Sequence, residues 1–220
     1  LERWRAEKNR CGQGINWTSA LEAGLRLINF TWIDELLRFH PDENVRRVQE
    51  QLAARIVPEH VWWVWRHRSF GSSANNHLLG ELAGLVVATR RWPCLMHLSC
   101  CAEKAWQQMQ QQVAAQFAED GGNLEQALHY HLFAWEMAWQ TRRAMGGGTP
   151  EFVDVMTRAA AYFAAMAHPD EPWEFGDSDD AEITPLTLDR SRAVAEWQSW
   201  FNRCEEGQSL SFWLGHPPAL

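Results

Sequence analysis

Three consecutive polar residues, Asn75, Asn76 and His77, stand directly before a run of apolar and small residues with helical spacing. They therefore lie at a predicted helix N-terminus, where unpaired backbone N–H groups and the helix dipole favour an anion. An asparagine amide adds a hydrogen-bond donor, and a histidine can add a positive charge. The structural alternative is that one asparagine caps the helix while His77 only packs at the surface.

Tyr130 is one of only 2 tyrosines in a chain that has 14 tryptophans. A tyrosine titrates near pH 10 when unperturbed, so it needs cationic neighbours before it can act as a phenolate at neutral pH. His129 and His131 flank it in sequence, but adjacent residues on a helix point in different directions. Gln126 and Phe133 share its helix face. A ring that only packs, with its hydroxyl on a carbonyl, is the structural alternative.

These residues are positioned by helices, because apolar spacing is helical along the chain and no stretch alternates like a strand. Long helices joined by short breaks pack as antiparallel neighbours. The expected fold class is therefore all-α, an incomplete (α/α) toroid or barrel of antiparallel helical hairpins, with an ordinary bundle as the alternative. The predicted helices cover about 19–39, 41–68 with an interruption at Pro58, 76–90, 99–119, 124–145, 150–167 and 191–204.

Charge, apolar run length and cysteine spacing exclude several kinds of partner and site. A net charge of −8 argues against generic binding to nucleic acid or to an anionic membrane surface, although Arg66, Arg68 and Arg90–Arg91 are locally basic. No apolar run is long enough to span a membrane. The five cysteines are scattered without CxxC pairs or zinc-type spacing, so neither a disulfide framework nor a zinc site is expected. No cofactor is expected.

Two segments carry a recognisable pattern: residues 69–82 read SFGSSANNHLLGEL, and residues 122–131 read GNLEQALHYH. An earlier segment, 16–29, and an acidic one, 175–180, flank them. In this order, and with a family-like interval between Asn76 and Tyr130, the four segments resemble the helical toroid of heparinase II/III-type polysaccharide lyases and related alginate lyases.

The resemblance implies β-elimination on a uronic acid-containing polysaccharide. Asn76 and His77 would neutralise the sugar carboxylate, and Tyr130 would act as the base, the acid or both. The acidic segment fails the EF-hand pattern, so no metal is expected. A non-catalytic carbohydrate-binding module and an α/α-barrel glycoside hydrolase, which needs two positioned carboxylates, are the alternatives. The residues expected to bind substrate are Asn75, Glu81, Gln126, His131 and Trp173.

Family members join the toroid to a β-sandwich domain that supplies a further catalytic histidine or tyrosine. We therefore expect residues 1–213 to be a toroid domain that is a fragment of a longer parent, and residues 214–220 to be a linker toward that β-sandwich domain. The implied partners are an acidic polysaccharide and this second domain, and neither nucleic acid nor membrane is expected. The resemblance also implies a bacterial protein exported to the periplasm or secreted.

Overall fold

The computed structural model describes residues 10–72, 74–98, 102–166, 176, 183, 193–203 and 208–218. Their regular structure is helical apart from an isolated bridge between Phe117 and Asn123, which confirms the all-α class. The chain divides into two compact units, residues 1–109 and 110–220. The α-helices are α1 (Ala20–Leu36), α2 (Glu43–Gln51), α3 (Val57–Arg66), α4 (Asn76–Arg91), α5 (Ala102–Gln116), α6 (Leu128–Met145), α7 (Pro150–Met166), α8 (Ala193–Phe201) and α9 (Gln208–Leu214).

Several helix ends lie where small polar residues and glycine predicted them. The Ser19 hydroxyl accepts a hydrogen bond from the Glu22 N–H at 3.3 Å, and the Thr149 hydroxyl accepts one from the Phe152 N–H at 3.3 Å. Gly146 follows α6 with φ 78°, the left-handed conformation that ends a helix without a Cβ clash. These local contacts satisfy backbone groups that a helix end leaves open.

Two regions differ from the prediction, and a third refines it. The interruption predicted at Pro58 in helix 41–68 is a π-helical turn, Leu52–Ile56, because Pro58 lacks an N–H and its ring crowds the preceding turn. The helix predicted from about residue 124 begins at Leu128, because the Asn123 side chain accepts from the Glu125 N–H at 2.9 Å and holds a turn there. Helix α9 was not predicted.

In the first unit, α1 and α4 lie side by side with their backbones almost in contact. A Cβ on Gly24 would lie 2.6 Å from the Gly80 carbonyl oxygen, and a Cβ on Gly84 would overlap the Gly24 backbone. Further along both helices, Arg91 Nε donates to Asp34 Oδ2 at 2.8 Å. Later residues of α1 meet later residues of α4, so the two helices run parallel, and the glycines permit their close approach.

Asp34 also joins α1 to α2, the next helix in the chain. It is 6% exposed, and Gln49 Nε2 on α2 donates to its Oδ1 at 3.0 Å. Nearer the start of α1, Trp17 packs against Trp63 of α3, with ring centroids 5.5 Å apart. Gln49 of α2 thus meets the end of α1, whereas Trp63, further along the chain in α3, lies beside the start of α1. Together α2 and α3 therefore run antiparallel to α1, as the short connection predicts.

The second unit contains an antiparallel hairpin of α6 and α7 with an aromatic core. Trp135 Nε1 donates to the Met156 carbonyl at 2.9 Å, and the Trp135 ring lies 5.8 Å from Trp200 of α8. The indole N–H groups of Trp139 and Trp200 donate to the carbonyls of Leu214 and Gly215. The start of the predicted linker therefore packs on this core, while the domain boundary itself stays a prediction.

Candidate functional site

The Asn75–Asn76–His77 segment forms the N-terminus of α4, as predicted. Asn75 is the N-cap, and its Oδ1 accepts from the His77 N–H at 3.4 Å. Asn76 is buried, with 6% of its surface exposed, and His77 is half-buried. The capping role is thus present at Asn75. The anion-binding roles of all three residues stay predictions.

Further along α4, Glu81 is fully buried and binds Ser69 through both carboxylate oxygens. The Ser69 N–H donates to Oε2 and the Ser69 hydroxyl donates to Oε1, both at 2.7 Å. Burial raises the pKa of Glu81, while the Ser69 hydrogen bonds and the nearby His77 and Arg68 oppose the rise. Glu81 therefore fixes the loop that precedes α4, and its contact with a substrate stays a prediction.

The earlier family-like segment, 16–29, meets α4 in the same unit. A Cβ on Gly24 would lie 3.0 Å from the Glu81 Cα. Arg26 donates to the Asn16 carbonyl and lies 5.7 Å from the Trp17 ring centroid. Burial lowers the pKa of Arg26, although Glu22 opposes this. The structure thus brings together the first two of the four segments that resemble the family.

Tyr130 lies in the first turn of α6 with a half-buried side chain. The loop before it is held by a network centred on Asn123. The Asn123 carbonyl accepts from the Gln126 N–H at 3.0 Å, and the Asn123 N–H donates to His131 Nδ1 at 3.3 Å. Leu124 N–H donates to the Gln116 carbonyl at 2.9 Å. The helix start that carries Tyr130 is therefore fixed to its own loop.

His131 is buried, and both of its ring nitrogens bind within the second unit. Nε2 donates to the Ala159 carbonyl at 2.8 Å while Nδ1 accepts from Asn123, and the ring stacks on Tyr162 at 5.4 Å. Burial lowers the pKa of His131 to about 4, although the bond to Ala159 and the nearby Asp120 oppose this. His131 is therefore neutral near pH 7 and supplies no positive charge to Tyr130. Its contact with a substrate stays a prediction.

The chain just before α6 also meets Gly176, the one residue of the acidic segment 175–180 that the structure describes. Gly176, with φ 76°, lies against the Gln126 carbonyl, and a Cβ there would lie 3.1 Å from the Ala127 Cα. Gln126 is exposed and has φ 54°, which costs a residue with a side chain about 1 kcal/mol. The structure thus places Gly176 of the fourth segment against the third, just before the helix start that carries Tyr130.

The predicted site residues fall into two groups, one in each unit. Trp173 and the acidic residues 177–180 lie outside the described residues. Sequence reasoning missed Ser69 and Asn123 as supporting residues, although both lie within the quoted segments and are side chains that commonly bind nearby backbone. The group on α4 is Asn75, Asn76, His77 and Glu81, and the group at the start of α6 is Gln126, Tyr130 and His131.

Three further tryptophans, all in α3, are candidate platforms for a sugar ring. Trp62 exposes 42% of its surface, whereas Trp63 and Trp65 are half-buried. Trp63 stacks on His67 with ring centroids 3.6 Å apart, and Arg68 covers Trp65 at 3.6 Å. Of the three, Trp62 therefore offers the most open ring.

Within the part of the chain that the structure describes, no cluster of His, Cys, Asp and Glu could hold a metal ion. In the same residues, no helix is both long and apolar enough to cross a membrane. Cys11 and Cys94 are free thiols, and burial together with the nearby Glu59 raises the pKa of Cys11.

Comparison with known protein families matches residues 7–206 to the family described as Heparinase II/III N-terminus. The match includes all four segments quoted above. No curated protein and no solved structure matches the chain. The N-terminal domain of this family is a helical toroid, which is the fold class predicted from the sequence. The chain therefore belongs to the heparinase II/III family and carries its N-terminal domain.

Proposed function

We propose that this chain is the toroid part of a polysaccharide lyase that cleaves a uronic acid-containing polysaccharide by β-elimination. Membership of the family supports a polysaccharide lyase-related module. The observation that carries the finer proposal is the placement of the family-like polar residues at two helix starts. Asn76 and His77 begin α4, and Tyr130 stands in the first turn of α6. Both are positions where the helix dipole favours negative charge.

In β-elimination the C5–H bond and the bond from C4 to the leaving oxygen break, and a C4=C5 double bond forms. The C5 proton is weakly acidic while the neighbouring carboxylate carries its charge. In our proposal the Asn76 amide and His77 neutralise that carboxylate, which stabilises the developing negative charge. Tyr130, as a phenolate, takes the C5 proton and then gives it to the leaving oxygen, so the phenolate is restored and no water is consumed.

The supporting contacts suit this chemistry because catalytic groups act best when they are held in place before substrate binds. Glu81 holds Ser69 in the loop before α4. His131 and Asn123 hold the loop before Tyr130. In the proposal these residues hold in place the loops that precede the reacting groups.

The family resemblance also predicts a β-sandwich domain of the same parent protein that supplies a further histidine or tyrosine. We include this domain as a partner in the proposal, together with export to the periplasm or the outside of a bacterial cell, where such polysaccharides occur. The activity assay therefore uses the full-length parent protein.

The test follows ultraviolet absorbance of the 4,5-unsaturated uronate product on a panel of alginate, hyaluronan, heparan sulfate and other uronate polymers. We expect Tyr130→Phe to lower the rate at least about hundredfold, because it removes the group that exchanges the proton. Tyr162→Phe is the matched control, since it changes the other tyrosine of the chain, which stacks on His131. The control should keep its rate.

Equal rates in the parent and in Tyr130→Phe would keep the lyase and reject the role of Tyr130. A new reducing end without ultraviolet absorbance would indicate a hydrolase. Binding of a polymer that stays intact in the full-length parent would indicate a carbohydrate-binding module instead.

A further inference from the structure

The Arg68 side chain, in the loop before α4, places its guanidinium over two aromatic rings, those of Trp65 in the last turn of α3 and of Phe70 in the same loop. Its Cζ is 3.6 Å from the ring centroid of Trp65 and 5.0 Å from that of Phe70. Its Nε donates to the Trp65 carbonyl at 3.1 Å, and its Nη1 donates to Gln108 Oε1 at 3.0 Å. A long side chain that is otherwise mobile is thereby held in one orientation at little further entropic cost on binding.

Phe70 exposes 62% of its surface beside this oriented cation. An exposed aromatic ring offers an apolar face, and the C–H face of a sugar ring can pack on it. A guanidinium also attracts a carboxylate or a sulfate group through its positive charge, which strengthens a hydrogen bond between them. Together the two side chains suit a sugar residue that carries an acid group.

The loop that carries this pair is anchored next to the start of α4. Ser69 stands between Arg68 and Phe70, and both its N–H and its hydroxyl donate to Glu81. The Glu81 carboxylate in turn interacts electrostatically with His77 and with Arg68. Arg68 and His77 are therefore both close to one carboxylate, which places the pair beside the candidate site of the first unit.

We propose that Arg68 and Phe70 form a subsite that binds a second acidic sugar residue of the polysaccharide, next to the one held at Asn76 and His77. The placement of this sugar next to the one at Asn76 and His77 rests on the proposed function. The recognition of an anionic saccharide rests only on the Arg68 guanidinium and the Phe70 ring. A local cation of this kind also gives a polyanion a place to bind on a chain whose net charge is −8.

The test measures binding by calorimetry to the full chain carrying Tyr130→Phe, so that no cleavage competes. The probes are alginate, hyaluronan and heparan sulfate tetrasaccharides, with neutral chitotetraose for comparison. We expect Phe70→Ala to weaken binding of the preferred anionic tetrasaccharide about tenfold. Arg68→Gln should weaken it about tenfold as well and flatten its salt dependence, while Arg68→Lys restores part of the loss.

Phe39→Ala is the matched control, because Phe39 is 86% exposed and lies under Arg38 at 5.3 Å. It follows the C-terminal end of α1, which runs parallel to α4, so it lies about 20 Å along the helix axis from Asn76. Its substitution should leave every affinity unchanged. Thermal unfolding checks that each variant keeps its fold.

Affinities of Phe70→Ala and Arg68→Gln equal to that of the control would overturn the subsite, whatever the lyase assay shows. Failure of every anionic tetrasaccharide to bind the chain, or equal loss for chitotetraose in Arg68→Gln, would overturn it too. If both variants lose affinity but the parent protein yields no unsaturated product, the subsite stands and the lyase proposal fails.

Discussion

Lowering the pH from about 7.5 to about 5 is expected to remove about 2 kcal/mol from the free energy of unfolding through His131 alone. The cause is burial: the ring is 2% exposed, and its pKa lies at about 4 instead of the ordinary 6.5. Protonation in the folded state would leave a charge inside a pocket whose hydrogen bonds suit the neutral ring.

The sign follows from which state binds the proton. As the pH falls below about 6.5 the unfolded chain takes up a proton at His131, whereas the folded chain does not until about pH 4. The stabilisation is therefore complete above the unfolded pKa and is lost as the pH falls between the two values. One pKa unit corresponds to about 1.4 kcal/mol, so the loss reaches about 2 kcal/mol near pH 5 and about 3 kcal/mol below pH 4.

The assay is urea unfolding across this pH range, monitored by tryptophan fluorescence. His131→Gln removes the titrating group and keeps a donor for the Ala159 carbonyl. It should be less stable near pH 7.5 but lose about 2 kcal/mol less than the unmodified chain on acidification. His216→Gln, at an exposed position of the same unit, is the control and should keep the original pH dependence.

Two results would refute this reasoning. One is an equal loss of stability on acidification in the unmodified chain and in His131→Gln. The other is a nuclear magnetic resonance titration in which the His131 ring of the folded protein protonates close to pH 6.5.

Two further predictions concern the first unit, and both are measured as free energies of unfolding in urea. Gly84→Ala should destabilise by about 2 kcal/mol, because its Cβ would overlap the α1 backbone, whereas Gly71→Ala, in open space, should change stability by less than about 0.5 kcal/mol. Asp34→Ala should cost about 2 to 3 kcal/mol, because it removes the carboxylate that binds Arg91, while Arg38→Ala at the exposed neighbouring pair should stay within about 0.5 kcal/mol. Equal changes in the free energy of unfolding for Gly84→Ala and Gly71→Ala would contradict the helix packing described. Equal changes for Asp34→Ala and Arg38→Ala would contradict the role of the Asp34–Arg91 pair.

The helix ends were the most predictable part of the fold because local contacts determine them. Ser19, Asn75 and Thr149 accept hydrogen bonds from the first turns of their helices, and Gly146 adopts the left-handed conformation after α6. Each of these contacts joins residues within a few positions of each other. A single stretch of sequence therefore contains both partners.

The burial and the hydrogen-bond partners of the polar residues could not be predicted from neighbouring residues in this way. His77 and Glu81 are spaced as an exposed pair on a helix face, yet Glu81 is buried and binds Ser69 twelve positions earlier. His131 flanks Tyr130 in sequence and was expected to bind substrate, yet it is buried, and burial keeps its ring neutral. Which face of a helix is buried depends on helices distant in sequence. Periodicity within the helix does not contain that information.

The π-helical turn Leu52–Ile56 is a position where the chain can lose one residue without a change in the neighbouring helix faces. A π turn absorbs one extra residue within an α-helix, so the helix faces on either side keep their orientation. Leu52 and Ile56 are buried at its ends, whereas Ala54 between them is exposed. Deleting Ala54 would therefore leave the faces on both sides of the turn in place, whereas deleting a residue within α3 would rotate the following face by about 100°.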